Sequence, residues 1–326
     1  MSLTHRYGGV LVLSGSNRDR ATMCVGTTVA LMLLTLHAIS AVEVSVDDRT
    51  VRVGATVSTE LGAHAILEGA IEYLACSQGG KAYESVLMLD ASPREIYDGL
   101  LRVGLAVGSP ATYDAEDNRV APHGPEITLM VEWANATGTP VRMRAEDLIY
   151  NTNAERPMTR TDRIFTGSRM MEDPETEEQV LQATLTANVI STHQSDPSVL
   201  LQNPLVAAMD ETSYRVNEQT LPAPGSPLTL IFDASQPGAR RVFVTGKVQG
   251  VGFRAFTQEQ AALLGVIGYV RNLTDGRVEV LVEGRRAVLA EMMRRLETGP
   301  AAAEVRSVET EDLPSSGQHE TFTIRY

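Results

Sequence analysis

The residues best suited to chemistry in this chain sit near its C-terminus, in Gln249-Gly-Val-Gly-Phe-Arg254. The residues before this block alternate like a strand and those after it carry a helical pattern, so the block reads as a strand-to-helix loop. Such a loop turns several backbone N–H groups outward, and the start of the helix adds partial positive charge. Gly250 and Gly252 allow left-handed backbone angles, which let successive amides converge on one anion. Arg254 adds a permanently charged, planar fork that matches phosphate oxygens. The chemistry this implies is recognition of a phosphoryl group. Two look-alikes fall away. Gly250-Val-Gly-Phe-Arg-Ala255 fits a relaxed dinucleotide fingerprint, but too little chain surrounds it for repeated parallel βαβ units. Gly246-Lys247 is followed by Val248, where a nucleotide-binding loop needs a Ser or Thr for magnesium.

The elements that must carry this loop follow from periodicity. Arg241–Lys247 alternates as a strand, Ala255–Leu264 reads as a helix stopped by Gly265, and Val266–Leu273 and Arg277–Glu283 read as strands around a Thr274-Asp275-Gly276 turn. Ala287–Leu296 is an amphipathic helix with Val288, Leu289, Met292, Met293 and Leu296 on one face. Val305–Leu313 and Phe322–Tyr326 complete a βαββαβ order with a short closing strand, the ferredoxin-like split βαβ arrangement of an α+β fold.

With those elements in place, the blocks Gly246-Lys-Val-Gln-Gly-Val-Gly-Phe-Arg254, Gly268-Tyr-Val-Arg-Asn-Leu-Thr-Asp-Gly276 and Arg277-Val-Glu-Val280 resemble the acylphosphatase family, over about residues 240–326. The resemblance implies hydrolysis of the carboxyl–phosphate anhydride of a small-molecule acyl phosphate, with no cofactor and no metal. It implies that the loop amides of Gln249, Gly250, Val251, Gly252 and Phe253 bind the phosphoryl group with Arg254, and that Asn272 positions the attacking water. On its own residues, Asn272 could also be a turn residue or, through Asn272-Leu-Thr274, a glycosylation acceptor. The chemistry agrees with the resemblance: an acyl phosphate already carries a good leaving group, so positioning and charge stabilisation suffice.

The rest of the chain reads differently. From Arg240 onward there are 12 basic and 11 acidic residues. The whole chain has 28 and 41, which leaves 16 against 30, or −14, for the first 239 residues. That balance disfavours a nucleic-acid partner, which needs clustered positive charge. Met23–Leu36 is an apolar run preceded by Arg18 and Arg20 and followed by small residues to Ala41. This order predicts a signal peptide over 1–41 and an exported, periplasmic or extracellular protein. An uncleaved anchor is the alternative, and the one route to a membrane. Residues 42–232 read as a β-rich domain: a Val42–Val53 hairpin, a strand at Glu84–Leu89, a helix from Pro93 capped by Ser92 and Glu95, and strands at Ile127–Trp133 and Leu228–Phe232.

Leu67-Glu-Gly-Ala-Ile-Glu-Tyr-Leu74, Gly80-Lys-Ala-Tyr-Glu-Ser85, Pro93–Leu105, Trp133, Phe165-Thr-Gly-Ser168 and Asp196-Pro197 resemble the YdjY-like domain family, which implies no mechanism. Where that family often has a His, this chain has Tyr83. His64, His123 and His193 are too scattered for a zinc motif, Glu84 and Asp90 read as solvated carboxylates, Gly167-Ser168 reads as a turn, and Cys76 reads as a small buried hydrophobe. Residues 233–239 read as a short polar linker crossed by few contacts. Two functions from different classes fit: an exported acylphosphatase, or an envelope binding or scaffold protein whose acylphosphatase-like module only binds anions.

Overall fold

The computed structural model describes residues 41–326 apart from 62–69, 117, 194–195 and 206–212; the expected signal segment and His64 lie outside the described residues. Among the described residues no helix is long and apolar enough to cross a membrane.

The first part is built on strands β1 (Val42–Ser45), β2 (Thr50–Val57), β3 (Tyr73–Ser77) and β4 (Ser85–Leu89), helix α1 (Pro93–Arg102), and strands β5 (Glu126–Ala134), β6 (Pro140–Arg144), β7 (Arg163–Phe165), β8 (Asn188–Ser191), β9 (Leu201–Gln202) and β10 (Pro227–Asp233). The β1–β2 hairpin pairs Val42 with Val53, as the alternation predicts. Helix α1 starts where Ser92 and Glu95 form a reciprocal capping box, with Pro93 at the first helical position. Hydrogen-bonded neighbours run β2–β10–β5–β7–β9–β8–β3–β4. Ala55–Val57 of β2 then pairs with β4, so the sheet closes into a ring. Closure leaves inward residues such as Val51, Val53, Leu129, Val131, Leu230 and Phe232 in one apolar core. Cys76 is 0% exposed, and burial pushes its thiol up to about 11.

The second part comprises β11 (Gly238–Lys247), α2 (Phe253–Leu264), β12 (Ile267–Asn272), β13 (Val278–Gly284), α3 (Arg286–Thr298), β14 (Glu304–Pro314) and β15 (Phe322–Arg325). Its sheet order is β14–β11–β13–β12–β15, with β15 parallel to β12. This is the expected ferredoxin-like arrangement, and α2 begins two residues earlier than periodicity suggests. Val242, Val244, Val270, Val278, Val280 and Val282 pack under the helices with Leu264, Met292 and Leu296. On the opposite face of the sheet Glu279 accepts from Arg271 Nε at 2.5 Å and from Tyr269 Oη at 3.1 Å, so it is polar and satisfied.

The expectation of a linker crossed by few contacts is corrected. Asp233 still belongs to β10 and Gly238 opens β11, so only residues 234–237 connect the two parts. Residues 41–326 belong to one compact unit. The outward residues Met130 of β5 and Ile231 of β10, out of phase with the inward set, are 0% and 2% exposed and belong to the core of the second part. The helices α2 and α3 are thus packed on both sides, by their own sheet and by the wall of the ring. Polar contacts finish the seam. Asp233 Oδ2 accepts from Ala287 N at 2.7 Å and Ser235 Oγ from Arg286 N at 2.9 Å, so connecting residues satisfy the first turn of α3. Arg285 Nε donates to Asp162 Oδ2 at 2.8 Å and its other nitrogens reach Ser235 O and Glu126. Arg295 Nη2 donates to Arg142 O at 3.1 Å, and Arg160 Nη1 to Ala262 O near the C-terminal end of α2. A polar, Pro- and Gly-containing stretch reads as solvent-facing in sequence, because its partners lie some fifty residues further along.

Candidate functional site

Strand β11 ends at Lys247 and α2 begins at Phe253, and the backbone between them turns through two left-handed glycines, Gly250 at φ 75° and Gly252 at φ 79°. A Cβ at either position would meet nothing within 4 Å, so these glycines are required by backbone angle and not by crowding. The turn opens a concavity of about 190 Å³ lined by Gly250, Gly252, Phe253, Arg254 and Asn272, with Val248, Ala255, Ile324 and Tyr326 completing the wall. The N-terminus of the twelve-residue helix α2 therefore opens into it.

Arg254 is half-buried and its guanidinium lies 5.0 Å from the centre of the Tyr326 ring. Among the described residues it has no carboxylate partner, and it lines the concavity. Asn272 closes the opposite side from the end of β12. Its Oδ1 is buried and has no hydrogen-bond partner among the described residues. Asn272 lines the concavity, and its buried Oδ1 is an acceptor that still calls for a donor. The sequence places β12 next to this loop only through the antiparallel pairing of β11 with β13 and of β13 with β12.

Not every expected loop residue faces the concavity. The Gln249 side chain turns away, and its Nε2 donates to Leu273 O and Arg277 O, both at 2.8 Å. Val251 packs its side chain against the module's apolar core. Two wall residues, Ile324 and Tyr326, were not singled out by sequence; they arrive because β15 lies parallel to β12. His319 lies elsewhere, 4.0 Å from Glu283 and edge-on to Tyr269.

In the ring, Glu84 is held by Lys81 at 2.9 Å, and Lys81 also reaches Glu72 at 2.8 Å. Burial pushes the Glu84 carboxyl up, against the pull of Lys81. Ser168 donates to Ser198 O at 2.6 Å and accepts from Ala183 N, a structural turn. No group of three or more His, Cys, Asp or Glu side chains among the described residues is placed to hold a metal ion.

Comparison with known proteins fits this division. The Acylphosphatase family profile matches residues 240–324, and the YdjY domain profile matches residues 42–233. The chain belongs to both families. Its acylphosphatase part is 48% identical over 92 residues to an acylphosphatase of Rubrobacter xylanophilus, covering 28% of this chain and 84% of that protein. It is 53% identical over 75 residues to an acylphosphatase of Pseudomonas paraeruginosa, covering 23% of this chain and 82% of that protein. A solved acylphosphatase from Bacillus subtilis is 36% identical, covering 27% of this chain and 99% of that one at a TM-score of 0.27. These acylphosphatase relatives align with the C-terminal part of this chain, and the YdjY ring stands outside the matched stretch.

Proposed function

We propose that this chain hydrolyses acyl phosphates at the concavity between Gly250 and Asn272. The observation that carries the reading is the convergence of Arg254, a left-handed glycine loop at a helix N-terminus, and the Asn272 side chain on one small space. In this reading the loop amides and Arg254 hold the phosphoryl oxygens and stabilise charge that grows on them. The Asn272 side chain holds a water and aims it at phosphorus. The water oxygen bonds to phosphorus as the bond to the acyl oxygen breaks, the carboxylate leaves with the electron pair, and the water protons end on phosphate. The carboxylate needs no protonation to depart, which accounts for a site without a histidine or cysteine. Export through the N-terminal segment is part of the proposal and rests on the basic–apolar–small order of residues 18–41.

The test uses the full chain and benzoyl phosphate. The wild type should hydrolyse it without added metal, and Arg254→Ala should abolish turnover. Asn272→Ala should raise the barrier by about 2.7–4 kcal/mol, the cost of one well-placed polar group at a developing charge. A wild type no faster than buffer, yet still binding inorganic phosphate, would leave an anion-binding module in place of an enzyme.

A further inference from the structure

The geometry points to a positioning role for Gln249: it is the latch that sets the distance between the phosphate loop and the water-aiming asparagine. This rests on the acylphosphatase reading of the site. Both hydrogens of the Gln249 amide are used, on Leu273 O and Arg277 O at 2.8 Å each. Those carbonyls already close the turn after β12, accepting from Gly276 N at 3.2 Å and Leu273 N at 2.9 Å respectively. One side chain of the loop is therefore fastened to both sides of the turn whose first residue follows Asn272 directly. Gln249 also stands one residue before Gly250, where the left-handed course of the loop begins.

Leu273 and Gln249 lie on segments that are not direct strand neighbours, since β13 separates β11 from β12 in the sheet. Beyond the strand ends nothing else in the ladder fixes how far the loop stands from Asn272. Gln249 spans that gap. A water held by Asn272 must lie in line with the breaking bond, so a small change in this spacing misdirects attack while the loop amides and Arg254 still bind phosphate. The latch should act on the chemical step and leave anion affinity nearly intact.

The full chain carrying Gln249→Met tests this, since Met keeps the length and removes both donors. Four quantities are read against wild type: kcat on benzoyl phosphate, the Kd of inorganic phosphate, Tm, and hydrogen exchange of the peptide covering 272–277. The kcat should fall about ten- to a hundredfold, the scale set by an ångström-size misplacement of reacting groups. Phosphate affinity should stay within about threefold, because its contacts are shared by ground and transition states. The turn amides of Leu273 and Gly276 should exchange faster. A kcat within about twofold of wild type overturns the latch. So does a parallel loss of kcat, phosphate affinity and Tm, which marks general loosening. If the wild type itself shows no turnover, the acylphosphatase reading fails separately. The latch is then decided by exchange: unchanged protection at 272–277 overturns it, and faster exchange upholds it.

Discussion

Asp233 offers the sharpest test of how the two parts of the chain are joined. It is fully buried, and its two oxygens accept from Ala287 N at 2.7 Å and Ser235 N at 2.9 Å. Replacing it by Ala removes a negatively charged cap from the first turn of α3 and strands two buried N–H donors. Loss of a cap costs about 0.5–2 kcal/mol, and each donor left unsatisfied about 1–3 kcal/mol. The two effects overlap at Ala287, so a total of about 3 kcal/mol is a fair expectation. Asp233→Asn should fall between, because an amide offers one acceptor where two donors wait. Calorimetry of the full chain then discriminates two cases. If the C-terminal part melted by itself, about 3 kcal/mol would lower its transition by roughly 12–24 °C, given about 4–8 °C per kcal/mol for a domain of that size. If ring and module unfold as one unit, the larger unfolding entropy reduces the shift to no more than roughly 6–12 °C, in a single peak. The shared core of Met130 and Ile231 with α2 and α3 predicts the single peak. Two resolved peaks, or no shift in Asp233→Ala, would refute the reasoning.

Two further outcomes follow from the charged seam. Burial alone would push the Asp162 carboxyl up, but Arg144, Thr128 and Arg285 overcome it and hold it below its ordinary value. A folded-state value below the unfolded one stabilises at pH above the unfolded value, near about 3.9, and that stability is lost as pH falls through the folded one. The Tm gap between wild type and Asp162→Asn should therefore be full at neutral pH and close progressively in acid below about pH 4; a gap that widens there contradicts the assignment. Glu146 is 0% exposed and lies 3.1 Å from Arg144 and 3.5 Å from the fully buried Arg163. Glu146→Ala leaves two buried guanidinium groups short of their counter-charge and should cost about 3–5 kcal/mol in urea unfolding, with any value under about 1 kcal/mol arguing that water compensates them.

What was legible in the sequence was local. The alternation of Val51 and Val53, the capping box of Ser92 with Glu95, and the glycine pattern ahead of Arg254 each act within a few residues, and each appears where expected. Closure of the ring was not legible, because β9 and β8 are two and four residues long and buried on both faces, so they carry no alternation. Ile324 and Tyr326 escaped notice at the concavity because a parallel pairing some fifty residues long in sequence brings them there. Asp233 and Ser235 read as linker residues because composition cannot tell a polar side chain facing water from one capping a distant helix. Gln249 belongs to the expected loop, but its amide faces the turn after β12 and not the concavity, which depends on a segment more than twenty residues away.

Helix α2 is engaged at each end: Phe253 and Arg254 line the concavity, and Ala262 O accepts from Arg160 of the ring. Nine residues of α-helix separate them, about 14 Å at 1.5 Å per residue. Among the described residues the ring contributes none to the wall of the concavity, and it holds α2 from the other end as a mount holds a cantilever. In the hydrolysis proposed above, only the phosphoryl group has to enter such a site. Choice among acyl phosphates would then fall to whatever delivers them to the far tip of the helix.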